Sequence, residues 1–190
     1  MGTLTGKVFS SKDTWAFFAR YDQNTVDILK NTFTQEVNLN GQKMTVNNKN
    51  IAINDKITAI ELTKSNKNKD LKFHGGGSIE LTDNLNSGTG GLIFDEGQHY
   101  SVIGKDKAYK GAGVEIGKDT VVDWSVKGEA NDNLHKTGAG TLNVNVAQGN
   151  NLKTGDGTVF LNAEKAFNAI YVASGRGTVK LGQADALDKK

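Results

Sequence analysis

Three stretches near the end of the chain decide its fold. They are Gly138-Ala139-Gly140-Thr141-Leu142-Asn143-Val144, Gly155-Asp156-Gly157-Thr158-Val159-Phe160-Leu161 and Gly175-Arg176-Gly177-Thr178-Val179-Lys180-Leu181. Each is a Gly-x-Gly turn that opens a strand with Thr and continues with apolar residues. The starts at 138, 155 and 175 lie 17 and then 20 residues apart. A period of about 20 residues, each carrying one turn and one short strand, is the signature of a solenoid. Looser copies stand earlier, at Gly75-Gly76-Gly77-Ser78-Ile79-Glu80-Leu81 and at Gly111-Ala112-Gly113-Val114-Glu115-Ile116.

Working outward, strand centres fall near residues 72, 80, 93, 102, 115, 123, 143, 159, 171 and 179. Alternate members of the early part lie 21 or 22 residues apart, one coil of a β-helix, with strands stacked about 4.8 Å apart. Residues 71–181 then make about five coils. A single coil cannot bury its apolar face alone, so stacking supplies the core. The inward candidates are Leu71, Phe73, Ile79, Leu81, Leu92, Phe94, Val114, Ile116, Val122, Trp124, Leu142, Val144, Val159, Leu161, Val172 and Val179. An antiparallel sandwich also has short strands with glycine turns, and it is the competing fold.

The first part of the chain differs. Trp15, Phe17, Phe18 and Tyr21 form an aromatic group, with a strand expected at 14–18. Val26, Leu29 and Phe33 recur at helical spacing, which predicts a short helix over 23–33. The aromatic group reads either as a cap over the open end of the first coil or as half of an interface with a preceding domain. From Glu36 the period drops to two, giving strands at 37–39, 44–46, 51–53 and 57–62. The tract with Lys64, Lys67 and Lys69 reads as a solvated loop.

Composition agrees with a chain built of sheet. The 190 residues contain no Pro and no Cys, with 23 Gly. Proline is excluded from central strands, and glycine tolerates the left-handed backbone of turns. Lack of Cys removes disulfides and thiol catalysis together. A net charge of +2 supplies no strong field toward nucleic acid or anionic membranes. No apolar run reaches the length of a bilayer span.

Candidate chemistry is sparse. His74, His99 and His135 are the three histidines, and each reads as a turn or surface residue. Metal-ligand spacing is absent, so no metal and no cofactor are expected. Residues 111–118 fail the Walker spacing, and Asp119 stands where Ser or Thr is needed. Residues 155–157 occur once, without the repeated Asp of calcium-binding coils. Asp83, Asp95, Glu96, Glu115 and Asp123 are the acidic candidates for a carbohydrate-active groove. That chemistry requires a converging pair, and Glu115 and Asp123 read as outward on their strands.

More specific blocks remain: Asp70-Leu71-Lys72-Phe73-His74-Gly75-Gly76-Gly77, Gly88-Thr89-Gly90-Gly91-Leu92-Ile93-Phe94, and Thr120-Val121-Val122-Asp123-Trp124. With Asn133-Leu134-His135-Lys136-Thr137-Gly138-Ala139-Gly140-Thr141-Leu142, their order and spacing over 70–181 resemble the passenger domains of serine protease autotransporters. That group includes the immunoglobulin A proteases of Gram-negative bacteria. The resemblance implies an all-β chain, a right-handed parallel β-helix of about five or more coils behind a capping segment that holds the short helix. Residues 1–35 would be the remnant or cap at the protease-to-stalk junction, and 36–190 the stalk. It also implies an upstream chymotrypsin-like protease, a downstream membrane barrel, and passage through periplasm and outer membrane to the cell surface or medium.

No Gly-Asp-Ser-Gly block occurs, and the one Asp-Gly pair, Asp156-Gly157, lies in a coil turn. The chain therefore reads as a stalk piece without catalytic residues, and the resemblance implies that its parent is a serine endopeptidase. The alternative reading is an adhesin-like binding module that meets host surface or secreted proteins through loops at 63–70, 83–90 and 104–110. A second copy met edge to edge is a further expected partner. Nucleic acid is not expected.

Overall fold

The computed structural model describes residues 34–47, 51–53, 56–58, 68–173 and 176–187. The expected strand at 14–18, the helix at 23–33 and the aromatic group from Trp15 to Tyr21 lie outside the described residues. All regular elements among the described residues are strands.

The strands come mostly in pairs, one pair to a coil. They are β1 (Thr34–Asn38) with β2 (Lys43–Val46), β5 (Asp70–His74) with β6 (Gly77–Leu81), and β8 (Leu92–Phe94) with β9 (His99–Lys110). Then follow β10 (Val114–Ile116) with β11 (Val121–Gly128), and β12 (Leu134–Thr137) with β13 (Thr141–Val144). The last are β14 (Leu152–Thr154) with β15 (Gly157–Leu161), and β16 (Ile170–Val172) with β17 (Gly177–Leu181). First members stack into one sheet, β1-β5-β8-β10-β12-β14-β16, and second members into another, β17-β15-β13-β11-β9-β6-β2. Each of these pairings is parallel. Parallel pairing through both sheets makes the chain a β-solenoid and sets aside the antiparallel sandwich.

Two short strands break the rule. β3 (Ile51–Ile53) and β4 (Lys56–Thr58) turn back antiparallel and extend the second sheet past β2. The insertion explains the spacing at that point, because Met44 stacks on Ile79, 35 residues later. A third small face forms where β7 (Leu85–Asn86) and the end of β11 flank the end of β9.

The register shows what the repeat encodes. Leu71, Leu92, Val114 and Lys136 stack at steps of 21, 22 and 22 residues. After β12 the coil shortens, and Leu134, Leu152 and Ile170 stack at steps of 18. Alternate side chains of the stacked strands from β1 to β15 point inward, save at the β9 bulge, as the pleat requires. Val37, Phe73, Phe94 and Ile116 form one buried column, and Met44, Ile79, Val102, Trp124, Val144 and Leu161 another. Aromatic rings meet inside the core. Phe73 and Phe94 stack at 5.3 Å, Phe94 meets Tyr100 at 5.1 Å, and Tyr109 meets Trp124 edge to face at 5.6 Å. Each such side chain contributes about 1.5–3 kcal/mol by leaving water.

Three expectations need correction. Val172 is 46% exposed and Val179 is only partly buried, although both hold the inward phase. Their strands β16 and β17 pair on one side only among the described residues, so no described coil covers them. Residues 104–110, expected as a loop, belong to β9. The chain bulges there, Ser125 pairing with Ile103 and Lys127 with Ala108, because β7 and β11 hold the residues beyond the bulge in sheet. The stretch 83–90, likewise expected as a loop, contains β7.

Candidate functional site

The stacking brings together side chains that are far apart in sequence. His74 ends β5 on the outer face of the first sheet, with β1 on one side and the exit from β8 on the other. Its Nε2 bonds the carboxylate of Glu36, and its Nδ1 lies 3.3 Å from Oδ2 of Asp95. Asp95 in turn accepts the phenolic hydrogen of the buried Tyr100, whose oxygen also lies 2.9 Å from the Phe73 carbonyl. Burial, and then the Asp95 carboxylate, push the Tyr100 hydroxyl above its ordinary range. Glu36, His74, Asp95 and Tyr100 thus tie three successive coils together. Both imidazole nitrogens are engaged by carboxylates, an arrangement that orients a ring but supplies no nucleophile.

The other histidines sit elsewhere. His99, exposed at the start of β9, places Nε2 2.6 Å from Oδ2 of Asp123, while Asn143 donates to the second oxygen at 2.8 Å. Partial burial works to raise the Asp123 carboxyl, but the bonds from Asn143 and His99 outweigh it and hold it low. His135 is half-buried on the outer face of β12, beside Lys153 of β14 in the register. Burial, helped by Lys153, pushes its imidazole down to about 4.

The acidic candidates do not converge as a pair. Glu115 lies on the outer face of the first sheet, between Ile93 and Thr137, and Asp123 on the outer face of the second. Burial raises the Glu115 carboxyl, with Lys72 opposing. Asp83 and Glu96 are exposed in turns, and Asp95 belongs to the His74 cluster. Among the described residues no three His, Asp or Glu side chains are grouped to hold a metal ion. Residues 111–118 wrap the strand β10, and 155–157 form the corner that leads into β15.

One residue escaped the sequence reading. Lys136 on β12 is completely buried, at 0% exposure. Its Nζ donates to the carbonyls of Gly138 at 2.6 Å, Gly140 at 2.6 Å and Asp156 at 2.8 Å. Burial draws the ammonium down to about 8, with Asp156 opposing, so it stays cationic at neutral pH. The signal was strand phase: Leu134 points in and His135 out, so Lys136 points in. Gln148 and Asn150 are also buried at the coil corners, where Gln148 bonds Val126 and Val146 carbonyls and Asn150 bonds those of Glu129 and Asp132. Together these groups close the corners of the stack.

No family model matches the chain. It is 55% identical over 190 residues to the serine protease EspC of Escherichia coli O127:H6, covering all of the chain and 14% of that protein. It is 46% identical to the serine protease pet autotransporter of Escherichia coli O44:H18, covering 98% of the chain and 15% of that protein. It is 31% identical to the IgA-specific serine endopeptidase autotransporter of Neisseria gonorrhoeae, again over a small share, 13%, of the relative. Among solved structures it superposes with a TM-score of 0.74 on the passenger domain of plasmid encoded toxin, an autotransporter enterotoxin from enteroaggregative Escherichia coli. That match has 44% identity and covers 90% of this chain and 17% of that one. The chain is thus a homologue of the serine protease autotransporters over a small part of their length, and its solenoid is the fold of their passenger domain.

Proposed function

We propose that the chain is a segment of the stalk of a secreted autotransporter serine protease. It holds an upstream protease domain away from the cell and aids outward secretion by folding coil by coil. The observation that carries this reading is the parallel stack from β1 to β17, in which each coil finds its buried partners on its neighbours. In such an array stability is close to a sum of nearest-neighbour terms, so folding can start at one place and propagate. Released coils would then draw the following chain outward. The segment itself performs no catalysis: His74 and His99 are occupied by carboxylates, and peptide hydrolysis belongs to another part of the parent.

The test is an exchange. This chain replaces the matched 190 residues of EspC, and secreted protein and proteolysis are measured in the medium. Secretion close to that of the parent, with proteolysis retained, is expected, and deletion of the same residues should stop secretion. Retention of the exchanged protein inside the cell, or secretion unimpaired by the deletion, would refute the stalk role. Stoichiometric labelling of the isolated chain by a serine-reactive fluorophosphonate would refute the absence of catalysis.

A further inference from the structure

We infer that Lys136 is a register pin, a buried cation that is satisfied only when the coil of β12 and β13 stacks on the coil of β14 and β15 in the observed register. The inward column of the first sheet runs Leu71, Leu92, Val114, Lys136, Thr154. A lone ammonium in that column is costly, because desolvating an ion amounts to several kcal/mol. An ammonium has three donors and no acceptor, and here three carbonyls meet them. Those of Gly138 and Gly140 belong to its own coil, and that of Asp156 to the next. The third bond is therefore a test of stacking.

The apolar pattern cannot make that test alone. Leu142 lies on Val159 and Val144 on Leu161. A slip of two residues would put Leu142 on Leu161, still apolar on apolar, with every side chain on its proper face. The same slip moves the Asp156 carbonyl by about 6.6 Å along the strand, out of hydrogen-bond reach. One ammonium hydrogen would then be left unsatisfied in the core. Gly157 fits the same device, since a Cβ there would stand 2.3 Å from Lys136 Nζ and 2.3 Å from the Gly140 carbonyl. The pin also sits where it is needed, at the change from 22-residue to 18-residue steps. There the coil length no longer dictates which residues meet.

This role does not depend on secretion and is tested on the isolated chain. The chain has no Cys, so two engineered pairs report the register cleanly. N143C with F160C joins residues that are stacked in the observed register. N143C with N162C joins a diagonal in the observed register, about 7–8 Å apart and too far to bridge without the slip that puts Leu142 on Leu161. With Lys136 in place only the first pair should oxidise to a disulfide. In the K136M background the melting temperature should hold or rise, while the second pair forms in a substantial fraction of molecules. Oxidation of the first pair alone in K136M would overturn the inference. If K136M does not fold, K136A is melted with n-propylammonium or with tetramethylammonium at equal ionic strength. Stabilisation by the first ion alone supports the carbonyl cage, since only it carries N–H donors. Equal effects of the two would overturn it.

Discussion

The indole Nε1 of Trp124 donates a hydrogen bond to Oε1 of Gln148 at 3.2 Å, and both side chains are buried. The amide nitrogen of Gln148 donates in turn to the carbonyls of Val126 and Val146. One glutamine therefore satisfies two buried polar groups, the Trp124 indole and the Val126 carbonyl, and the half-buried carbonyl of Val146. Gln148→Leu keeps the volume and removes all three bonds, leaving one donor and two acceptors without partners. Each orphan costs about 1–3 kcal/mol, so we expect a loss of about 3–5 kcal/mol. A urea melt followed by circular dichroism would read it as a lower midpoint at an unchanged slope. A loss under about 1 kcal/mol would mean that water replaces the amide.

Two glycines with similar backbones should respond differently to alanine. Gly138 has φ of 79° and Gly149 has φ of 71°, both left-handed. A Cβ at Gly149 meets nothing within 4 Å, whereas one at Gly138 would stand 2.1 Å from the carbonyl oxygen of Ile116, in the coil below. Gly149→Ala should cost only the left-handed strain, about 1–2 kcal/mol. Gly138→Ala adds a clash with backbone that cannot yield without opening the β10–β12 ladder, so its loss should be at least twice as large. Equal melting temperatures in the two variants would contradict this account of the corner.

Much of this architecture could be read from the chain. The Gly-x-Gly-Thr phrases mark the openings of β13, β15 and β17, and the aliphatic alternation after them marks the buried phase. The reading failed where an inward position holds a polar residue. β12 and β14 carry Lys136 and Thr154 inward, so Leu134-His135-Lys136 and Leu152-Lys153-Thr154 lack the apolar alternation that reveals a strand. Residues 104–107, with Gly104, Lys105, Asp106 and Lys107, look like a loop because what holds this part of β9 in sheet is supplied by β7 and β11. The His74 cluster was invisible for a stronger reason. Glu36, His74 and Asp95 lie 38 and 21 residues apart, and nothing local says that they share a surface until the register is known.

That cluster makes a prediction about where the stack loosens. His74 joins β5 to Glu36 on β1 and to Asp95 beyond β8. His74→Ala removes both links and leaves two carboxylates facing one place, which like charges disfavour. Amide exchange in β1 should speed up several-fold, while β10 to β15 keep their rates, as expected if each coil feels mainly its neighbours. Hydrogen exchange read by mass spectrometry resolves these segments. A uniform increase along the whole chain would show that the stack opens as one unit.

Acid should act through His135. Its imidazole is pushed down to about 4 in the folded chain, against about 6.5 in an unfolded one. Between these values the unfolded chain binds the extra proton, so stability is complete above about pH 6.5 and falls as the pH drops toward 4. A shift of this size sets a ceiling of about 3 kcal/mol on the loss. Two carboxylates held low, Asp123 and Glu80, lose their contribution only below the ordinary carboxylate range, so they do not fill the same window. Glu115 does enter it with the opposite sign, because its carboxyl is raised and protonation then favours the folded chain. The informative quantity is therefore the difference between the parent chain and His135→Gln, each melted in urea at steps from pH 7 to pH 4. The variant should gain relative stability as the pH falls. Parallel curves would mean that protonated His135 finds as good an environment in the folded chain as in water.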